Sequence, residues 1–171
     1  MRSDAPKREA SVTPETLNHL LAEARRLAME LANRAPMWVR DLEFGQGMRR
    51  VPSDRTPPED PGVYLFRKEQ TVLYIGRTKR TGTLRKRICS DHLSTGQRHS
   101  KDFRDKVATH EDLMDSEGNP DRIKVLQRMR ECYSVAWVQI TSPEMRAVVE
   151  SLLIAWARAD NQQLLNDQYG D

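Results

Sequence analysis

Two kinds of patterning run along this chain. Residues 61–67 and 72–77 read P-G-V-Y-L-F-R and V-L-Y-I-G-R, short runs rich in β-branched and aromatic residues around the polar link Lys68-Glu69-Gln70-Thr71. This pattern predicts a β-hairpin. With residues 68–70 as the loop, Tyr64 stands opposite Tyr74 and the period of two sends both side chains to one face. A slip of one residue would separate them. Residues 133–140 also alternate and are expected to join the hairpin as a further strand.

Helical spacing dominates elsewhere. Thr13, Pro14 and Glu15 supply a cap, a proline at the first helical position and an acid in the first turn, ahead of Leu17, Leu20, Leu21, Ala24, Leu27, Ala28 and Leu31. That helix is expected to end near Asn33. Further helices are predicted from Leu84 to about Leu93 behind Thr83, over residues 100–109, from Asp121 to about Glu131 behind Asn119-Pro120, and from Ser142-Pro143-Glu144 through about Arg158. Residues 1–12 read as disordered, 36–44 as extended and 45–61 as linker. The expected fold is α+β: a small three-stranded antiparallel sheet flanked by helices. It divides into an N-terminal helical extension and linker over residues 1–56 and a domain over 57–171.

Composition narrows the function. The net charge of +3 and a pI near 9.0 are only mildly basic, so placement matters more than the total. Arg77, Lys79, Arg80, Arg85, Lys86 and Arg87 crowd the stretch after the hairpin, whereas carboxylates gather in residues 112–121. Beside paired tyrosines the basic run reads as a phosphate-facing surface, although a solvated face is the plain alternative. The string D-L-M-D-S-E-G lacks calcium-loop ligand spacing and reads as a surface loop. Two cysteines fit neither a disulfide framework nor a zinc site, and no secretion signal or apolar run of membrane-spanning length is present. The expected compartment is therefore the cytoplasm or nucleoid, with no membrane partner.

G-V-Y, then Y-I-G, then the basic run L-R-K-R ending in a histidine, then a strand and a helix carrying one glutamate together resemble the GIY-YIG nuclease superfamily. The resemblance covers residues 61–166 and implies a metal-dependent endonuclease acting on DNA, with RNA as the alternative polymer. It implies that Tyr64 helps deprotonate the attacking water, that Tyr74 positions water or phosphate and that Arg87 binds phosphate. Glu150 would hold Mg2+ or Mn2+, and Asn166, with Asn161 second, would support the site by hydrogen bonding. His92 completes the implied set, but here the chain departs from the family. Five residues rather than four separate it from Arg87, a rotation of about 140° on an unbroken α-helix. Either the helix carries a bulge near Ser90, or Arg85 is the working arginine, or His92 belongs to the core.

Each residue has a plainer reading. Tyr64 and Tyr74 suit half-buried strand positions. Glu150 lies at the margin of a stripe formed by Met145, Val149, Leu152, Leu153 and Trp156, where an exposed pair with Arg146 would account for it. His19, His99 and His110 read as surface residues. The rival function is a nucleic-acid-binding or protein-interaction module without turnover. The amphipathic helix within residues 13–50 needs an apolar partner: the domain itself, a second copy or another protein.

Overall fold

The computed structural model describes residues 13–42, 55–94 and 101–167. Residues 1–12, most of the expected linker, and His99 lie outside the described residues. Helix α1 (Pro14–Asn33) begins where Thr13 Oγ1 accepts the N–H of Thr16, with Pro14 at a position whose own N–H would have no helical partner. Strand β1 (Met37–Trp38) and a 3-10 turn (Val39–Asp41) follow. The hairpin is β2 (Gly62–Lys68) and β3 (Thr71–Arg77), and it leads into a helix that is π-helical over Lys86–His92. Then come α2 (Lys101–His110), α3 (Arg122–Cys132) capped by Asp121, β4 (Tyr133–Gln139), α4 (Pro143–Ala159) capped by Ser142, and a 3-10 turn at Leu165–Asp167.

The fold is α+β with an antiparallel sheet of four strands in the order β1-β4-β2-β3. The three expected strands are present, and the fourth corrects that expectation. Within residues 36–44, which read as extended, Met37 and Trp38 pair with Val135 and Ser134 on the outer side of β4. Two residues are too few to show a period of two, so their pairing has no sequence signal.

The sheet buries both faces. On one, Tyr64, Phe66, Tyr133 and Val135 pack against Leu84, Ile88, Phe103, Val107, Val125 and Met129. On the other, Val63, Leu65, Ile75 and Val138 meet Ala24, Leu27, Ala28 and Leu31 of α1 and Val149, Leu153 and Ala157 of α4. The second half of α1 therefore shares a core with the sheet, while Leu17 and Leu20 nearer its start are 50% and 45% exposed. No described helix is long and apolar enough to cross a membrane.

Helix α4 turns an unexpected face inward. Its buried residues are Arg146, Val149, Leu153 and Ala157, spaced by three and four, while Trp156 is exposed. Arg146 is 1% exposed and donates through Nη1 to the carbonyls of Ile140 (2.9 Å) and Thr141 (2.8 Å). The surface pair with Glu150, the plainer alternative for that glutamate, is absent: Arg146 turns inward and holds the end of the preceding strand.

The hairpin register also differs from the expected one. Lys68 pairs with Thr71, leaving the two-residue turn Glu69-Gln70; beyond a bulge between Phe66 and Arg67, Phe66 pairs with Tyr74 and Tyr64 with Gly76. A bulge adds one residue to one strand, and Leu73 and Tyr74 accordingly both join the same core. Without that extra residue the turn would pair Tyr64 with Ile75 and send Tyr74 to the opposite face. Glu69 has φ of 55° in this turn, a left-handed conformation that costs a residue with a Cβ about 1 kcal/mol. Glu69→Gly is expected to raise the thermal midpoint by about 2 °C, corresponding to a gain of about 0.5 kcal/mol once glycine's greater unfolded freedom is subtracted. A lowered midpoint in a calorimetric melt would show that the glutamate side chain stabilises the turn.

Candidate active site

Both hairpin glycines are required by close approach. A Cβ on Gly76 would lie 2.5 Å from Tyr64 Oη and 2.9 Å from Tyr74 Cε1, and one on Gly62 would lie 2.1 Å from the carbonyl oxygen of Val138. Gly76 thus makes room for the Tyr64 ring to lie across β3. The rings of Tyr64 and Tyr74 stand 6.3 Å apart on one face.

Tyr64 Oη is the hub of the site. Arg87 Nε donates to it at 3.2 Å, and His92 Nε2 lies 2.6 Å away. These two residues reach one oxygen because the helix is wound as a π-helix, with the N–H of Leu93 bonded to the carbonyl of Ile88 five residues earlier. In that winding five residues make one hydrogen-bonded turn, so Arg87 and His92 share a face. Arg85, the alternative arginine, points away and donates to the carbonyl of Pro57 (3.1 Å) and to Glu59 (2.8 Å).

His92 is fully buried, ringed by Tyr64, Phe66, Tyr74 and Phe103. Burial, reinforced by the nearby charges of Arg87 and Arg104, holds its imidazole well below its ordinary value and therefore neutral. Burial pushes the Tyr64 phenol well above its ordinary value; the adjacent Tyr74 adds to the rise and Arg87 opposes it. Tyr74 is raised by burial as well. The core placement of His92 and its contact with Tyr64 are compatible, since the same imidazole satisfies both.

Glu150 lies on α4, beyond the edge of β3, and its carboxylate Oε2 accepts from Arg77 Nε at 2.8 Å. It is near enough for its charge to raise both phenols. Burial raises the Glu150 carboxyl, and Arg77 and Arg87 pull it back down. Asn166 stands one step further out: Oδ1 accepts from the N–H of Ile75 at 2.9 Å and Nδ2 donates to its carbonyl at 2.7 Å. This amide holds the backbone between Tyr74 and Gly76. Asn161, the second choice, is exposed and starts the chain reversal after α4 with φ of 54°.

A cleft of about 270 Å³ opens beside Arg87, lined by Thr78, Lys79, Thr81, Gly82, Thr83, Lys86 and Asp91. Of the predicted basic surface, Lys79 and Lys86 border this cleft, Arg80 is exposed, Arg77 is engaged by Glu150 and Arg85 by Glu59. Asp91 was not foreseen. It pairs with Arg87 at 3.3 Å, and its spacing of four residues from an arginine is a signal available in the sequence. Arg104 and Phe103, which complete the surroundings of His92, carry no such signal.

No protein-family model, curated protein or solved structure matches the chain.

The imidazole makes a pH-dependent contribution to stability. A depressed folded value means that the unfolded chain takes up the His92 proton first as pH falls below about 6.5, so stability falls with pH from there down to the folded value. The slope has a ceiling of about 1.4 kcal/mol per pH unit. Melting midpoints between pH 7 and pH 5 should drop in the wild type and drop less in His92→Gln; parallel profiles would mean that His92 titrates normally.

Proposed function

We propose that this protein is a metal-dependent endonuclease of GIY-YIG type that hydrolyses phosphodiester bonds in DNA. The observation that supports this most is the convergence of Arg87 and His92 on Tyr64 Oη, with Glu150 and a basic cleft alongside. Phosphodiester hydrolysis needs removal of a proton from water, stabilisation of charge at phosphorus and help for the departing oxygen.

A phenol raised by burial is no tyrosinate at neutral pH, so Tyr64 serves as a relay. Its Oη takes the water proton as its own proton passes to Nε2 of the neutral His92, leaving hydroxide to attack and an imidazolium at His92, while the N–H of Arg87 fixes the position of Oη. Tyr74 orients the water or phosphate, while Arg87, Lys79 and Lys86 face the substrate backbone.

Glu150 offers one carboxylate, and among the described residues no three His, Cys, Asp or Glu gather as a metal site. A single carboxylate fits Mg2+ or Mn2+, which complete their shells with water and substrate phosphate. When bound, such an ion supplies charge neutralisation at the phosphate and the leaving oxygen.

A second reading is favoured by one observation: Tyr64 and His92 are both 0% exposed. That burial suits a nucleic-acid-binding or protein-interaction module whose aromatic cluster is structural. Nicking of supercoiled plasmid with Mg2+, Mn2+ or chelator separates the two. Tyr64→Phe and Glu150→Gln should each lose at least about 100-fold in rate, about 2.7 kcal/mol of barrier, while retaining DNA binding. A wild-type protein that binds DNA and nicks it with neither ion is the second reading; nicking of DNA by Glu150→Gln at the wild-type rate would remove Glu150 from the mechanism.

A further inference from the structure

Arg77 and Glu150 join the end of β3 to α4. Arg77 Nε lies 2.8 Å from Glu150 Oε2, with the arginine side chain 45% exposed and the glutamate 21%. The glutamate is held in the middle of a helix, whereas the arginine closes a strand and reaches solvent, so of the two partners Arg77 is the one free to change position. Arg87 bears on the same carboxylate. One negative charge thus faces two guanidinium groups, an arrangement that repels a divalent cation in the absence of other anions. No group of three His, Cys, Asp or Glu forms there among the described residues.

Resting on the metal role of Glu150 given above, we propose that Arg77 is a placeholder for the divalent cation, released by substrate. In the free protein its guanidinium occupies Glu150; when nucleic acid binds, it transfers to a backbone phosphate and opens the carboxylate to the ion. Two features of the structure favour the transfer. Arg77 directly precedes Thr78 and Lys79, which line the cleft beside Arg87, and its side chain is 45% exposed and so open to a phosphate of bound nucleic acid. A guanidinium also pairs with phosphate as readily as with carboxylate, in the same forked geometry. The phosphates reverse the sign of the local charge and supply the oxygen ligands that one glutamate does not. Arg77 is therefore a positioning residue whose effect is to couple two binding events, and that coupling is reciprocal: DNA tightens the ion by the same factor as the ion tightens DNA.

The test is a Mn2+ titration followed by electron paramagnetic resonance, with cleavage blocked by Tyr64→Phe, with and without a short DNA duplex and with Mn2+ bound by the duplex alone subtracted. Duplex should tighten Mn2+ binding by about tenfold or more in Tyr64→Phe. Adding Arg77→Gln should tighten binding without duplex by about tenfold and reduce the enhancement by duplex to about threefold or less. Adding Glu150→Gln should remove the site in both conditions. Equal Mn2+ affinity with and without duplex, or affinity unchanged by Arg77→Gln, would overturn the placeholder, and loss of the ion in Glu150→Gln would then leave the metal role intact. Retention of bound Mn2+ by Glu150→Gln would instead overturn the metal role, and absence of binding in every protein would overturn both.

Discussion

Tyr64 and Tyr74 share a face of the sheet because β3 carries one more residue than β2 between the turn and the tyrosines. Strand geometry admits only two facings, so this single residue decides whether the phenols meet or stand on opposite sides of the domain. The rest of the site follows from their meeting. Gly76 leaves the space that the Tyr64 ring fills, and the phenolic oxygen then lies where the π-helix brings both Arg87 and His92. A π-helix is a less common winding than the α-helix, and here it compensates for one residue more between arginine and histidine than an α-turn would hold.

The electrostatic logic runs through burial. The same dry aromatic surroundings raise the Tyr64 phenol and depress the His92 imidazole, so burial holds both groups in their neutral forms. The permanent charge is carried by arginines. Arg87 is balanced by Asp91 and Tyr64, and Arg77 by Glu150, whereas Arg146 spends its charge on two carbonyl oxygens and leaves Nε with no hydrogen-bond partner.

Most of the fold was legible in caps and patterns. Thr13-Pro14 and Ser142-Pro143 mark helix starts that the structure reproduces, and the hairpin and β4 stand within a residue or two of their expected limits. The register was not legible, because Lys68-Glu69-Gln70-Thr71 contains no glycine or asparagine to locate the turn, and a bulge leaves no mark on a period of two. Arg146 was misread for a physical reason: charge argues for exposure, and only the free carbonyls at the end of β4 make an inward arginine tolerable. At the site, the spacing from Arg87 to His92 posed the right alternatives, but choosing among them required the winding of the helix itself.

Asn166 and Gln162 have a consequence beyond the site. Strand β3 is the last in the sheet, and its outward backbone groups are met by side-chain amides: Asn166 takes both groups of Ile75, and Gln162 Oε1 accepts from the N–H of Val72 at 2.7 Å. These amides mimic one more strand. A foreign β-strand approaching that side finds both groups of Ile75 and the N–H of Val72 already taken, and the strand at the opposite border of the sheet is only two residues long. The protein thus guards both borders against edge-to-edge aggregation, one by occupation and the other by brevity.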